Sequence, residues 1–232
     1  MRQDKGAVDF GACERDKPRP MGVLVKICGI NSVEAADAAI RAGADFAGLV
    51  FHRKSPRNLA PDQARVLAER LRGRVRLVAL LADADDQEIG VAVKAVEPDF
   101  VQFHGSESPA RIADARARFG IGAIKAVPIA DETDFAPVAE YEKVSDMLLF
   151  DAKPASGAER PGGHGAAFDW QLLRGRIFSR PFLLAGGLNA GNVARALSQS
   201  GAPGVDVSSG VETAPGVKSP DLIVKFTAEA RA

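Results

Sequence analysis

Val23-Leu24-Val25-Lys26-Ile27-Cys28-Gly29-Ile30 is an apolar, β-branched run, too short for a typical helix and stopped by Gly29. Asn31 stands three residues before Glu34, the spacing of a helix N-cap and its partner, so the order reads strand, tight turn, helix. Cys28 then sits at the C-terminal end of a strand. In parallel α/β folds that edge is where ligands bind, which gives Cys28 a reactive reading beside the plainer one of a small buried hydrophobe.

Outward from this stretch the chain alternates. Residues 31–43 carry Val33, Ala36 and Ile40 at helical spacing and close on Gly43, and 46–51 is the next apolar run. Pro61 opens a helix over 61–71 whose Ala64, Leu67, Ala68 and Leu71 share one face, followed by a third strand at 75–81. Asp85 and Glu88 form a capping box ahead of Ile89, Val93 and Val96, and 99–103 is a fourth strand. Ser108-Pro109 opens a helix to Phe119, 121–127 is the fifth strand, 133–141 a weaker helix and 147–150 the sixth strand. A short helix at 168–173 precedes the seventh strand at 181–185, and Asn189 caps a helix over 189–200 that Gly201 closes. The eighth strand is 204–207, and Ser219-Pro220 opens the last helix. Eight strand–helix units predict one α/β domain over 21–232, a (β/α)8 TIM barrel of parallel strands, near the usual size of about 250 residues. An open doubly wound sheet would carry a Gly-rich fingerprint after its first strand, which Cys28-Gly29-Ile30-Asn31 is not.

With 46% hydrophobic residues in 232, the chain can bury a large core. Its 30 basic and 30 acidic side chains balance, which argues against nucleic acid or an anionic membrane as the main partner. Two cysteines make no disulfide framework, and no apolar run reaches membrane-spanning length, so the expected setting is the reducing cytoplasm. Residues 1–20 are polar, lack both periodicity and the apolar middle of a signal peptide, and read as a disordered extension.

In a barrel of this kind the loops after the strands build the site. Gly186-Gly187 after the seventh strand and Ser208-Ser209-Gly210 after the eighth mark a phosphate site, where bare backbone N–H groups approach an anion closely. Residues 157–165, with Gly162, Gly163 and Gly165, are long enough to fold over it as a lid. Neither Asp83, Asp85 and Asp86 nor the three histidines have metal-ligand spacing.

Taken in order, Lys26-Ile27-Cys28-Gly29, Gly48-Leu49-Val50-Phe51 with Ser55-Pro56-Arg57, and Val101-Gln102-Phe103-His104-Gly105 form a specific set. Leu148-Leu149-Phe150-Asp151, Gly162-Gly163-His164-Gly165 before Phe168-Asp169-Trp170, Leu184-Ala185-Gly186-Gly187-Leu188, and residues 204–212 from Gly204 to Glu212 continue it. The set resembles the phosphoribosylanthranilate isomerase family of tryptophan biosynthesis, from Val23 to the C-terminus. It departs at His164, where that family usually has Thr, and at Phe103, where it has Leu.

The resemblance implies an Amadori rearrangement of the aminoaldose N-(5-phosphoribosyl)anthranilate to the aminoketose 1-(2-carboxyphenylamino)-1-deoxyribulose 5-phosphate. By the same resemblance Asp151 is the general acid and Cys28 the general base, with a small phosphorylated aminosugar as substrate and no cofactor or metal. Arg57 is the partner of the anthranilate carboxylate, which its planar fork matches with parallel hydrogen bonds. His104 contacts the substrate or is a structural histidine, with Gln102 on the same face to orient it; Asp206 holds a sugar hydroxyl or a phosphate-loop amide, or is purely structural. Gly163, Gly165, Gly186, Gly187, Ser208, Ser209 and Gly210 hold the phosphate. An acid role requires a carboxyl pKa raised by burial at Asp151, and a base role a thiol pKa lowered at Cys28, with Lys26 as the nearby cation. A monomer or weak homodimer is expected.

Two rivals stand against this reading. An isomerase of the related histidine-pathway aminoaldose would carry carboxylates at the ends of strands 1 and 5, where this chain has Cys28 and Ala126-Val127. A catalytically silent phosphosugar-binding barrel would keep the glycine loops without needing both Cys28 and Asp151.

Overall fold

A computed structural model describes residues 22–153 and 168–232. Eight parallel strands close into a barrel in sequence order: β1 (Leu24–Cys28), β2 (Phe46–Val50), β3 (Arg76–Leu81), β4 (Phe100–Phe103), β5 (Gly122–Ile129), β6 (Met147–Ala152), β7 (Phe182–Leu184) and β8 (Gly204–Val207). Among the described residues seven α-helices wrap it: α1 (Val33–Ala42), α2 (Pro61–Leu71), α3 (Asp86–Val96), α4 (Pro109–Phe119), α5 (Val138–Val144), α6 (Val193–Ser200) and α7 (Pro220–Glu229). The expected (β/α)8 barrel is therefore the fold.

The pleat divides the core in two. Outward-facing Val25, Ile27, Leu49 and Val205 join the helices in one continuous cluster, while Phe46, Val78, Phe100, Ile124, Met147, Leu149 and Leu183 fill the barrel's interior floor. Above that floor the inward positions turn polar: Lys26 on β1, Gln102 on β4 and Asp206 on β8 are all buried. Strand register sets Lys26 beside Asp206 and Cys28 beside Gly48.

Several boundaries differ from the sequence reading, each for a local reason. The cap of α1 is Ser32, whose hydroxyl accepts from Ala35 N, while Asn31 donates its side-chain amide to Gly216 O, 2.8 Å away. Val33 is 39% exposed, and the buried face of α1 is alanine: Ala35, Ala36, Ala38 and Ala39. The helix expected over 133–141 is broken by Pro137 into a 3₁₀ turn, Glu132–Phe135, and α5, because proline lacks an N–H and crowds the carbonyl four residues back. Strand β6 runs on to Ala152, so Asp151 is a strand residue rather than a loop residue. Trp170–Leu173 is a 3₁₀ turn capped by Asp169 rather than an α-helix.

Helix α6 starts late because Asn192 ties down the preceding loop, accepting from Asn189 N at 2.8 Å and donating to Gly187 O at 2.9 Å. An antiparallel hairpin, β9 (Glu212–Ala214) and β10 (Val217–Lys218), lies between β8 and α7 and was not read from the sequence. Among the described residues no helix is long and apolar enough to cross a membrane.

Candidate active site

Cys28 ends β1 and is 4% exposed. A Cβ at its neighbour Gly48 would lie 3.0 Å from the Cys28 sulfur and 3.3 Å from Lys26 Nζ, so the missing side chain is what lets those two tips share the space. Lys26 is fully buried and donates to Asp206 Oδ1 at 2.8 Å. Burial alone would pull its pKa down; the charges of Asp206 and Cys28 outweigh that, and it ends above the ordinary lysine value. For Cys28 the balance goes against the expected lowering. Burial pushes the thiol up and Asp206 adds to it, more than Lys26 and Lys218 pull it down, so Cys28 rests as a thiol.

Across the barrel mouth, Asp151 Oδ1 accepts from Ala152 N at 2.8 Å and Oδ2 lies 3.3 Å from His104 Nε2. Gln102 Nε2 meets His104 Nδ1 at 2.8 Å. An amide NH₂ only donates, so in this arrangement Nδ1 accepts and the ring proton sits on Nε2, the nitrogen on the Asp151 side. The structure thus places Gln102, His104 and Asp151 in one row, with a hydrogen bond between the first two and a 3.3 Å contact between the last two. His104, Asp151, Val127, Pro128 and Tyr141 border a cleft of about 580 Å³.

The loops after β7 and β8 meet beside this row. Gly186 (φ 87°) has no room for a side chain: a Cβ would lie 2.6 Å from Ala152 N and 3.1 Å from Asp151 Oδ1. Gly210 packs so tightly that a Cβ would overlap Leu188 O at 1.8 Å, which locks the Ser208-Ser209-Gly210 turn onto the Gly186-Gly187 loop. Among the described residues the N–H groups of Gly186 and Gly187 meet no acceptor, as an anion site needs. Ser208 Oγ donates to Cys28 O at 3.1 Å, joining this loop to β1. Gly163 and Gly165, expected to complete the phosphate site, and His164 between them lie outside the described residues.

Arg57, in the loop after β2, reaches over Gly29, where a Cβ would lie 2.4 Å from its Cδ. Its Nε and Nη2 donate to the two carboxylate oxygens of Glu212 at 2.6 and 2.7 Å. Lys218, with a fully buried side chain, donates to Glu212 Oε1 and to Ser208 O, both at 2.8 Å. Burial would raise the Glu212 carboxyl, but Arg57 and Lys218 hold it below the usual range; burial pulls Lys218 below its own. In the sequence Glu212 belongs to the motif with no role implied for it, and Lys218 lies outside the motif. Arg57 lies 155 positions from Glu212, too far for spacing to reveal the pair, and the Lys218 contacts six and ten residues back form only once the hairpin folds.

Residues 25–229 match the family model of N-(5'-phosphoribosyl)anthranilate (PRA) isomerase. The chain belongs to that family. It is 49% identical over 212 residues to the N-(5'-phosphoribosyl)anthranilate isomerase of Rhodopseudomonas palustris strain CGA009, covering 91% of this chain and all of the relative. Among solved structures it is similar to the phosphoribosyl anthranilate isomerase of Thermotoga maritima, with 36% identity, a TM-score of 0.80, and 90% and 98% of the two chains covered. A phosphoribosyl anthranilate isomerase crystallised with reduced 1-(o-carboxyphenylamino)-1-deoxyribulose 5-phosphate aligns over the same shares at 34% identity and a TM-score of 0.76. The family match spans every element that carries Cys28, Arg57, His104, Asp151, Asp206 and the two glycine loops.

Proposed function

We infer that the protein is an N-(5'-phosphoribosyl)anthranilate isomerase, converting the aminoaldose to 1-(2-carboxyphenylamino)-1-deoxyribulose 5-phosphate in tryptophan biosynthesis. Membership of the isomerase family across the whole barrel carries this reading. The position of Cys28 and Asp151 at the barrel mouth supports the following roles. Asp151 gives a proton to the furanose ring oxygen, the bond from that oxygen to C1 breaks, and the electron pair of the nitrogen closes a C1=N bond. Cys28, as thiolate, takes the proton from C2; the C2–H electrons form C1=C2 and the nitrogen recovers its pair, giving an enolamine. Loss of the C2 hydroxyl proton and gain of a proton at C1 complete the ketone, with no net change in protons. No redox partner enters.

His104 supports the first step. Its Nε2 lies 3.3 Å from Asp151 Oδ2, close enough for its N–H dipole to stabilise the carboxylate left after the proton has gone, and Gln102 keeps the ring in that tautomer. The charge of Lys26 beside Cys28 favours the thiolate, against burial. The phosphate belongs at the Gly186-Gly187 and Ser208-Ser209-Gly210 loops, Asp206 near a sugar hydroxyl, and the substrate carboxylate at Arg57. A substrate bearing both phosphate and carboxylate does not cross membranes unaided, so a cytoplasmic setting goes with this activity. The test is to generate phosphoribosylanthranilate in situ, add purified protein and follow the loss of its fluorescence. Loss no faster than in buffer would overturn the reading.

A further inference from the structure

Hairpin β9–β10 joins three of the barrel's loops. Asn31 donates to Gly216 O at 2.8 Å, a Cβ on Gly216 would lie 2.6 Å from Pro56 O, and Lys218 holds both the carbonyl and the hydroxyl of Ser208. Its Glu212 is saturated. Oε1 accepts from Arg57 Nε and Lys218 Nζ, and Oε2 from Arg57 Nη2 and Gly216 N. A carboxylate with all its lone pairs in use has nothing left for a substrate.

Arg57 is the opposite case. Glu212 takes its Nε–Nη2 edge, and among the described residues nothing accepts from Nη1, so the Nη1–Nη2 edge of the same planar fork is left for a second carboxylate. We propose that Glu212 is a positioning residue that fixes the free edge of Arg57 and thereby makes the site select substrates whose aromatic ring carries a carboxylate. A guanidinium already locked in plane loses little rotamer freedom when it binds, which is where the selectivity arises. This deepens the activity inferred above and rests on it.

The experiment compares two aminoaldoses, made from ribose 5-phosphate with anthranilate or with aniline, which differ in the carboxylate alone. Turnover and Michaelis constant are measured for the parent protein, Glu212→Ala, Glu212→Gln, Arg57→Ala and Arg57→Ala/Glu212→Ala. A charged hydrogen bond is worth about 10- to 100-fold, so Glu212→Ala should lower kcat/KM for the anthranilate substrate by about that factor, chiefly through KM. The aniline substrate should stay within about threefold of the parent, because it never used the fork. In the Arg57→Ala background, removing Glu212 should change the preference by less than about twofold.

Glu212→Gln keeps the shape and one accepting oxygen, and should show the same pattern at about threefold or more; it carries the test if Glu212→Ala does not fold. Equal losses on both substrates, or an undiminished loss without Arg57, would overturn the proposal while leaving the isomerase activity standing. A parent protein that turned over neither substrate would overturn both.

Discussion

Cys28, the proposed base, rests protonated. Its thiol stands above the ordinary value because burial outweighs Lys26 and Lys218, so free enzyme at neutral pH holds little thiolate. Alkylation of Cys28 by iodoacetamide should therefore follow a midpoint above the ordinary cysteine value of about 8.5. Asp206→Asn should move that midpoint down, since it removes the charge that raises the thiol and frees Lys26 to face it. A midpoint at or below the ordinary value, or an upward move in Asp206→Asn, would contradict this balance. The roles of the acid and base are tested in single turnover: Cys28→Ser and Asp151→Asn should each lose about 10²- to 10⁴-fold, the usual worth of a positioned proton-transfer group. A variant within about threefold of the parent would strip that residue of its role and turn attention to His104.

At the scale of elements, the hairpin β9–β10 is where the sequence was least legible and where its consequence for stability is most testable. Glu212 has a depressed pKa in the fold, so its stabilisation is present above the unfolded value of about 4.3 and is lost as pH falls through the lower folded value. Glu212→Gln should therefore cost about 1–3 kcal/mol in urea unfolding at neutral pH, and less in acid, where the parent's own carboxyl is protonated. A cost independent of pH would mean that shape, not charge, holds the hairpin. Helix α2 could be read to the residue because Pro61 sets its start and four apolar residues its face; β8 was equally plain. Strands of three and two residues carry no alternation to count, and the Arg57–Glu212 bond spans 155 positions. The misplaced cap of α1 has a similar origin: Asn31 and Ser32 both suit the position, and the hairpin's Gly216 claims Asn31. The positions of Cys28 and Asp151 at the ends of β1 and β6 were legible because apolar runs in the sequence stop there.

Across the whole molecule, the barrel interior is layered, with an apolar floor beneath a buried Lys26–Asp206 pair and the mouth with Cys28 and Asp151 above. Such a pair is expensive to bury: its desolvation penalty can match or exceed its attraction. On the proposed roles, it persists because the site above it uses a cation beside the thiol and a carboxylate on β8, not because the barrel needs it to fold. The two demands separate by mutation. Lys26→Met alone leaves Asp206 charged and unpaired inside the barrel and should lose about 3–5 kcal/mol by urea or thermal unfolding. Lys26→Met/Asp206→Leu removes both charges and should unfold within about 1 kcal/mol of the parent or up to about 4 kcal/mol above it, each kcal/mol being about 2–4 °C in Tm for a chain of this size. On the proposed roles that double variant should nevertheless lose at least about 100-fold in kcat/KM, since the Cys28 thiolate would lose its nearby charge and the sugar the carboxylate proposed to hold it. If the double variant were as unstable as Lys26→Met, the pair would be a structural element of the barrel rather than a cost carried for catalysis.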